Sequence, residues 1–265
     1  TRLQGDWSSD VCSSDLAPNT FHSPCAKSWL AWWLVSAVKA GTAVCEGMVG
    51  ILITAGPTRE YLDDVRFLSN GSSGRMGFAL AVAARAAGHV PYLVLGPVAD
   101  APPAGIEVRS VVSAQEMQAE AEGLFAQCEI AIAAAAVADY RPRQRALGKP
   151  AKGTGPMTLE LVPNPDIVAG LAARKGTRVV VGFALESAAA SLADAVARGR
   201  EKLVRKQLDL VVCNRADAIG QAASEAVMVF ADGTQQVLPM QDKLATAAAI
   251  VRAAVDLRRR RLQAT

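Results

Sequence analysis

Residues 48–95 read MVGILITAGPTREYLDDVRFLSNGSSGRMGFALAVAARAAGHVPYLVL. Met48–Ala55 is a short apolar run that ends at Gly-Pro, which is typical of a buried parallel strand. Gly74–Gly88 carries apolar residues at helical spacing and ends at a glycine. Val90–Leu95 is again strand-like and is followed by Gly96-Pro97. A strand, a helix and a second strand in this order predict a βαβ unit with parallel strands.

The alternation of strand and helix patterns continues toward the C-terminus. Further strands are predicted at Ile106–Val112, Cys128–Ala136, Met157–Val162, Arg178–Phe183 and Leu208–Cys213. Further helices are predicted after a Ser113–Glu116 capping box, at Asn164–Arg174, at Ala188–Lys206 and from about Gln241. Asp232-Gly233, between two strand-like runs, indicates a late β-hairpin. The pattern predicts an α/β fold: three layers, Rossmann-like or ribokinase-like, with a mostly parallel sheet and helices on both faces.

Composition narrows the class of protein. The chain has 265 residues, 51% hydrophobic and 20% charged, which suits a domain with a sizeable core. A formal net charge of +3 is too small to indicate a nucleic acid or a membrane as partner. No apolar run approaches the roughly 20 residues that span a bilayer. The five cysteines form no CxxC pair, so we expect a reducing, cytoplasmic location.

Residues 1–47 differ from the rest of the chain. They contain all four tryptophans and show no clean period. Asp6–Leu16, DWSSDVCSSDL, resembles the in-frame translation of a short-read sequencing adapter, so we interpret residues 1–47 as a non-native leader and residues 48–265 as the functional domain. A disordered Ser-rich tail and a signal-like apolar region are the alternatives. N-terminal sequencing of natively produced protein tests the expected start at Met48.

The loop Ser69–Gly77 precedes the first predicted helix and follows the first strand, where α/β sheets bind ligands. Backbone N–H groups and the dipole at a helix start favour an anion, and Ser72 and Ser73 add hydroxyl donors. A helix cap with a tight turn explains the same residues equally well. The glycines come too long after the first strand to match a dinucleotide-binding fingerprint.

Three other segments offer groups that suit phosphate chemistry. AAAAVADYRP, residues 133–142, lets a flat ring or a phosphate approach the backbone, although its Asp139 is more simply explained as a cap. Lys149 and Lys152 in GKPAKG indicate either a cationic flap over phosphates or two solvated lysines. Lys202 and Lys206 share a helix face, for which solvation is the default interpretation. No Ser–His or Cys–His nucleophile and no metal cluster is apparent.

Seven segments, taken in order, carry a joint resemblance: ITAGPTRE, VRFLSNGSSGRMG, AAAVADYRP, the lysine loop, LVPNPDI, VGFALES and KLVRKQLDLVVCN. From about Met48 to Val255 they resemble the phosphopantothenate–cysteine ligase family, the synthetase half of the bacterial bifunctional coenzyme A biosynthesis flavoprotein. The resemblance implies that the carboxylate of 4′-phosphopantothenate attacks the α-phosphate of CTP and releases pyrophosphate. The amine of cysteine then displaces CMP from the acyl-cytidylate.

The same resemblance implies cofactors and partners. Mg²⁺ is expected to be carried by the triphosphate, so no residue is assigned as a metal ligand. A homodimer is expected. FMN and decarboxylation are not expected of this chain, and the decarboxylase half is expected either as a separate chain or as a part lost upstream.

Roles for individual residues are implied as well. Asn70 would hold the activated carbonyl, because its amide both donates and accepts hydrogen bonds, and Lys149 would assist the first step. Besides Lys149, contacts to CTP are implied for Ala133, Ala134, Ala135, Asp139, Val162, Pro163, Asn164, Pro165, Phe183, Lys202 and Lys206. The anion loop remains Ser72, Ser73 and Gly74.

This sequence departs from the family pattern in four places. Arg75 stands where the family has a lysine after SSG, so a planar guanidinium group replaces a compact ammonium group. The flap has fewer lysines than usual and contains Pro150. GFALES carries Leu185 and Ser187, and segment 218–230 lacks the usual Asn-rich turn. The first two departures are expected to weaken phosphate contacts.

Two other functions fit the fold class. An NAD(P)-dependent short-chain oxidoreductase would need an early glycine turn and a Tyr-x-x-x-Lys pair, but Tyr140 is followed four positions later by Gln144. A non-catalytic nucleotide-sensing module would tolerate the loss of Lys149, so a Lys149→Gln assay separates it from a ligase.

Overall fold

The computed structural model describes residues 47–186, 191–215 and 223–264. The interpretation of the leader falls on residues 1–46, outside these ranges, as do Ser187 and residues 218–222. Met48–Thr265 forms one compact unit.

Strands and helices alternate along the described chain. In order they are β1 (Gly50–Ala55), β2 (Arg59–Tyr61), β3 (Phe67–Ser69), α1 (Arg75–Ala86), β4 (Val90–Leu95), β5 (Glu107–Ser110), α2 (Ala114–Phe125), β6 (Ile130–Ala133), β7 (Tyr140–Pro142), β8 (Leu161–Pro163), α3 (Ile167–Ala173), β9 (Val179–Glu186), α4 (Leu192–Arg205), β10 (Leu210–Arg215), β11 (Ala223–Phe230), β12 (Gln235–Asp242) and α5 (Lys243–Gln263).

The large sheet has the order β12-β11-β10-β9-β6-β1-β4-β5. The strands β10, β9, β6, β1, β4 and β5 are parallel to one another. In contrast, β11 and β12 are antiparallel to their neighbours. The chain moves outward from β1 to β4 and β5, and then returns to the other side of β1 with β6. The order of strands therefore reverses between β1 and β6, where Thr54 pairs with Ala133. Doubly wound sheets bind ligands at such a switch point, beyond the carboxyl ends of the strands.

Buried side chains on the strands alternate between two core clusters. Ile51 and Ile53 of β1 pack with α1 and α5, whereas Leu52 packs with residues of α2, α3 and α4. Because successive strand side chains point to opposite faces, this alternation places helices on both sides of the sheet. The predicted three-layer α/β fold with a mostly parallel sheet and a late hairpin is therefore confirmed.

Two glycines position the start of α1 against the end of β1. Gly74 precedes the helix with φ 73°, a left-handed conformation that glycine adopts readily. At Gly77 an added Cβ would lie 2.2 Å from the Cβ of Ala55, so a larger residue would push the helix away. The first turn of α1 therefore lies directly beside the switch point.

Several predicted boundaries are wrong. The predicted helix at Asn164 begins only at Ile167, with Asp166 as its cap, because hydrogen bonds from Asn164 to Asp139 O and Ala138 O hold it in the preceding loop. Within the predicted strand Met157–Val162 only the last two residues belong to a strand, because β7 pairs with residues 161–163 alone.

The short hairpins β2–β3 and β7–β8 were not predicted, since each strand has only three residues. The predicted capping box at α2 is half formed. Ser113 Oγ accepts the Glu116 N–H (3.2 Å), but the Glu116 carboxylate accepts the Val112 N–H and not that of Ser113.

The late hairpin determines where the last helix begins. β11 reverses the direction of β10, and β12 reverses it again, so β12 runs parallel to the main strands. Helix α5 follows β12 directly and therefore begins at the carboxyl edge of the sheet, next to the switch point. None of the helices in the described part of the chain has the length and apolar character needed to cross a membrane.

Candidate active site

A cleft of about 690 Å³ lies over the carboxyl edge of the sheet. Its walls come from separate parts of the chain: the loop from β3 to α1, the loop from β6 to β7, the starts of α3 and α5, and the inner face of α4. Because strand ends and helix starts converge there, the cleft holds backbone N–H groups and cationic side chains together. This combination suits a ligand with several phosphates.

Asn70 links the two loops at the switch point. Its Nδ2 donates to the carbonyl oxygen of Val137 (2.9 Å) and, at 3.5 Å, to that of Ala136. The sequence predicted an amide that both donates and accepts toward a ligand. In the structure the amide nitrogen is bonded to the loop, so the amide oxygen is the group that remains for a ligand in the cleft.

The alanine loop is fixed by two buried threonines. Thr54 accepts the N–H groups of Ala134 (3.0 Å, carbonyl) and Ala135 (3.4 Å, Oγ1), and Thr58 Oγ1 accepts that of Ala138 (3.0 Å). The small side chains of Ala133, Ala134 and Ala135 leave the backbone of the loop accessible, and all three line the cleft. A planar ring can therefore approach this backbone closely, as the sequence predicted.

Ser72, Ser73 and Gly74 also line the cleft. Helix α1 has no side-chain cap and no acidic residue in its first turn. Ser72 Oγ accepts only a long hydrogen bond from the Gly74 N–H (3.4 Å). The serines are thus not the cap that the simpler interpretation proposed, and the positive end of the α1 dipole faces the cleft.

Asp139 lies at the exposed rim of the cleft and begins no helix, so it is not a helix cap. Its backbone carbonyl accepts the Asn164 N–H (2.8 Å), and Asn164 Nδ2 donates to Ala138 O (2.8 Å). These bonds join the loop after β6 to the turn before α3. Asn164 and Pro165 are thereby placed in the lining of the same cleft.

Lys202 and Lys206 are turned inward and do not form a solvated face. Lys202 Nζ donates to the carbonyl oxygen of Phe183 (2.5 Å), and Lys206 Nζ contacts Asp166 Oδ2 (2.7 Å). Helix α4 approaches the sheet closely because Gly199 faces Cys213; a Cβ there would lie 2.2 Å from the Cys213 Sγ. Both lysines line the cleft next to Phe183.

The charges on this wall affect one another. Burial lowers the pKa of Lys202, and the positive charge of Lys206 lowers it further. Burial opposes ionisation of Asp166, but the hydrogen bond and the charge of Lys206 lower the pKa of this carboxyl overall. The wall therefore carries two closely spaced cations, of which Lys202 is held in its charged form at a desolvation cost.

Three predicted site residues do not line the cleft. Lys149 is the first of them; it is exposed, as is its neighbour Lys152. Both lysines follow Gly148, whose N–H donates to Asp64 Oδ2 (3.0 Å). Val162 and Pro163 belong to β8 and pair with Arg141 and Tyr140, just before the cleft residue Asn164.

The cleft residues that the sequence analysis missed include Asn214, Asp166 and Lys243. Asn214 lies near the carboxyl end of β10, one residue beyond the predicted strand Leu208–Cys213. Lys243 is the first residue of α5. The predicted hairpin could have indicated Lys243. Two antiparallel strands in succession return the chain to the carboxyl edge of the sheet, where the next helix begins.

Comparisons with known proteins place this chain in a family. Residues 48–257 match the model of the DNA/pantothenate metabolism flavoprotein C-terminal domain. The chain is 43% identical over 207 residues to the coenzyme A biosynthesis bifunctional protein CoaBC of Vibrio cholerae, a match that covers 76% of this chain and 51% of that protein. It is 40% identical over 199 residues to CoaBC of Bacillus subtilis, covering 73% and 48% respectively.

The fold has a solved counterpart. The crystal structure of the C-terminal domain of CoaBC matches with a TM-score of 0.67 and 32% identity, over 80% of this chain and 95% of that one. The chain spans about half the length of the curated relatives it matches.

Proposed function

Because the chain belongs to the DNA/pantothenate metabolism flavoprotein C-terminal domain family, we propose that it is a CTP-dependent phosphopantothenate–cysteine ligase of coenzyme A biosynthesis. One observation supports this most strongly. A single cleft gathers residues from well-separated segments to which the sequence resemblance assigned one reaction: Asn70, Ala133, Ala134, Ala135, Asp139, Asn164, Pro165, Phe183, Lys202 and Lys206.

In this proposal CTP binds between the alanine loop and α4. The open backbone of Ala133–Ala135 receives the nucleoside, and Asp139 at the rim accepts a hydroxyl hydrogen bond from the ribose. Lys202 and Lys206 contact the triphosphate, because closely spaced ammonium groups are stabilised by an anion. Lys202 then exchanges its hydrogen bond to the Phe183 carbonyl for a phosphate oxygen.

The first step forms an acyl-cytidylate. A carboxylate oxygen of 4′-phosphopantothenate attacks the α-phosphorus of CTP, the new O–P bond forms, and pyrophosphate leaves with the electron pair of the broken bond. In the second step the neutral amine of cysteine attacks the acyl carbon. CMP leaves with the bridging oxygen, the nitrogen loses a proton, and the amide is formed.

Neither step needs a protein nucleophile, because positioning and neutralisation of charge lower both barriers. Asn70 acts in the second step of this proposal. Bonded through Nδ2 to the β6–β7 loop, its side chain is fixed at the junction of the two substrate regions. We assign it to orienting the acyl-cytidylate.

Mg²⁺ enters this proposal only as an ion bound to the triphosphate of CTP. Within the described residues no group of three His, Cys, Asp or Glu side chains is placed to hold a metal ion. We propose that the ion arrives on the nucleotide, where it would neutralise part of the phosphate charge.

Lys149 is proposed to assist the first step from a flap. In the structure it is exposed and lies outside the cleft, so this role requires the flap to approach bound CTP. Lys149→Gln is expected to lower kcat by about tenfold or more, whereas Lys152→Gln, also exposed in the same loop, serves as the matched control. Equal activity of both variants and the wild type would remove Lys149 from the mechanism.

A homodimer and a cytoplasmic location complete the proposal. Exposed apolar side chains occur near the two short hairpins, among them Val65, Phe67 and Tyr140, which is typical of an interface. Cys128 and Cys213 are free and buried, which fits a reducing compartment. Sedimentation equilibrium of the chain tests the dimer.

Omission of single substrates tests the proposed activity. With CTP, Mg²⁺, 4′-phosphopantothenate and cysteine, the chain should release pyrophosphate and form a product with the mass of 4′-phosphopantothenoylcysteine. Without cysteine, pyrophosphate release should stop after about one turnover as the acyl-cytidylate accumulates. No product at saturating substrate concentrations, or the same product with every substrate but CTP, would refute a CTP-dependent ligase.

A further inference from the structure

The lysine flap, residues 149–159, is anchored through its root, residues 145–148, to a hairpin that the sequence did not connect with it. Asp64 lies in the turn of the hairpin β2–β3, and Gly148 directly precedes Lys149. The two residues are joined in both directions. The Gly148 N–H donates to Asp64 Oδ2 (3.0 Å), and the Asp64 N–H donates to the carbonyl oxygen of Gly148 (3.2 Å). We call this pair the flap clamp.

Further contacts hold the same root. Arg145 Nη2 contacts the other carboxylate oxygen of Asp64, Oδ1 (3.0 Å), and the Ala146 N–H donates to the carbonyl oxygen of Leu62 (2.8 Å). The Arg145 guanidinium also lies over the ring of Tyr61, 5.0 Å from its centroid. Each exposed contact is weak by itself, but together they fix the root on the hairpin β2–β3.

The flap itself has no such restraint. Every residue from 149 to 159 is exposed, and none of them forms a hydrogen bond or an ion pair with another described residue. Beyond the flap the chain is held again, because the Arg143 N–H donates to the carbonyl oxygen of Glu160 (2.9 Å) and Arg143 Nε contacts Glu160 Oε1 (2.8 Å). A segment that is fixed at both ends but makes few contacts between them moves at a low cost in free energy.

Gly148 is suited to act as the pivot of this movement. Its φ of 67° lies in the left-handed region, which glycine adopts readily. Apart from its chain neighbours, no described atom lies within 4 Å of the position that a Cβ would take there. The clamp fixes the backbone on one side of this pivot, and Lys149 is the first residue on the other side.

The clamp also joins the element that carries Lys149 to the element that leads to Asn70. The hairpin β2–β3 ends at Ser69 and continues directly into Asn70, whereas the flap extends from the hairpin β7–β8. Strands β2 and β7 lie next to each other. Because Gly148 is tied to the turn of the first hairpin, the start of the flap has a fixed position relative to the segment that places Asn70 in the cleft.

We propose that Asp64 is a positioning residue: by clamping Gly148 it fixes the pivot about which the flap closes and brings Lys149 to bound CTP. This rests on the proposed function. Asp64 acts through Lys149 and does not itself line the cleft. Because a displacement of about 1 Å can cost a reacting group about 100-fold in rate, a loosened pivot should slow the formation of the acyl-cytidylate.

A double-mutant cycle on the first step tests the proposal. Pyrophosphate formation in a single turnover without cysteine is measured for the full chain, Asp64→Ala, Lys149→Gln and the double variant. Asp64→Ala should slow this step by about tenfold, whereas Asp64→Asn, which keeps an acceptor for the Gly148 N–H, should retain most of the rate. In the Lys149→Gln background Asp64→Ala should have almost no further effect, because its effect passes through Lys149.

Asp232→Ala is the matched control for this cycle. Asp232 is an exposed carboxylate in the turn of another hairpin, where it accepts the Thr234 N–H (2.9 Å), and it lies outside the cleft. The substitution removes a comparable turn contact that is remote in sequence from the flap. It should leave the rate of the first step unchanged.

Trypsin tests the clamp independently of activity. The root is held on the hairpin, so cleavage after Arg145 should be about tenfold or more faster in Asp64→Ala than in the wild type. Cleavage after Lys152, in the exposed flap, should be equally fast in both proteins. Equal cleavage after Arg145 in the two proteins would show that Asp64 does not clamp the root, and would refute the proposal.

The kinetic outcomes separate the two proposals. A first step in Asp64→Ala that is as fast as in the wild type, or faster, refutes the positioning role while the proposed function stands. A tenfold loss that persists in full in the Lys149→Gln background refutes it as well, because Asp64 would then act on something other than Lys149. If the wild-type chain itself forms no pyrophosphate from CTP and 4′-phosphopantothenate, both proposals fall.

Discussion

Cations lie at both ends of the large sheet, but their surroundings differ. At the amino end of β10, Asp209 has a side chain only 3% exposed and contacts Lys175 Nζ (2.8 Å) and Arg261 Nη2 (2.5 Å). Its other oxygen accepts the Val180 N–H (2.8 Å). At the carboxyl end, Lys202 and Lys243 are partly buried in the cleft, and the pKa of each is lowered by burial and by a neighbouring cation.

The difference separates charges that serve the fold from charges that serve a ligand. At the amino end a buried carboxylate neutralises the cations within the chain, and a helix, a strand and a loop are joined by it. At the carboxyl end burial and the neighbouring Lys206 make the charged form of Lys202 costly to hold, a cost that a bound anion would offset. Substitutions at the amino end should therefore lower the free energy of unfolding, whereas substitutions at the carboxyl end should weaken ligand binding.

The largest effect is expected at the amino end. Asp209→Asn should lower the free energy of unfolding by about 3 kcal/mol, the lower end of the range for a broken buried ion pair, because Lys175 and Arg261 keep some access to water. Chemical denaturation measures this loss. Below the transition the KM for CTP should be unchanged. A stable variant with a raised KM would reverse the assignment of the two ends.

Asn70 tests the junction between the substrate regions. Asn70→Ala should lower kcat by about 100- to 1000-fold, the size of effect that removing one preorganised hydrogen-bonding group from an active site gives. The loss of its bond to Val137 should lower the free energy of unfolding by only about 1 kcal/mol. Rapid-quench analysis should find acyl-cytidylate accumulating. Amide formation at the wild-type rate would show that the assigned role is wrong.

Lys202 tests the carboxyl end directly. Lys202→Gln should weaken CTP binding by about 10- to 100-fold, because a charge-assisted contact to phosphate is lost. Stability should not fall, since the substitution removes a desolvated charge. Arg200→Gln, exposed on the same helix and outside the cleft, is the control and should leave calorimetric CTP affinity unchanged. A destabilised Lys202→Gln with normal CTP affinity would make this lysine structural.

The smallest effect is a shift in the pH dependence of CTP binding. Lys202 must be protonated to contact phosphate, and its pKa is lowered by burial and by Lys206. Affinity should therefore decline with rising pH earlier than an ordinary lysine would give. In Lys206→Gln the repelling charge is gone, the pKa of Lys202 rises, and the decline should begin at a higher pH. A decline at the same pH in both proteins would refute this coupling.

The sequence predicted the layers of the fold well because its strands are apolar and its helices periodic. Its errors lie where tertiary contacts decide. Asn164 looked like the first residue of a helix, but hydrogen bonds to the loop after β6 hold it outside α3. The strands of the two small hairpins are too short to show any period.

The candidate site was predicted unevenly for a similar reason. Asn70 and the alanine loop stand in segments whose position at a strand end was visible from the pattern. Lys202 and Lys206 looked solvated, because the close approach of α4 depends on space at Gly199 beside Cys213. Lys243 escaped notice, since its place in the cleft follows only from the pairing of β12 with β11 and of β11 with β10.

The fate of one oxygen atom tests the central claim most directly. 4′-Phosphopantothenate labelled with ¹⁸O in its carboxylate is incubated with CTP, Mg²⁺, cysteine and the chain, and the nucleotide product is analysed by mass spectrometry. An acyl-cytidylate requires the bridging carboxylate oxygen to leave with CMP, so the account predicts ¹⁸O in CMP and none in pyrophosphate. Amide product accompanied by unlabelled CMP would contradict it.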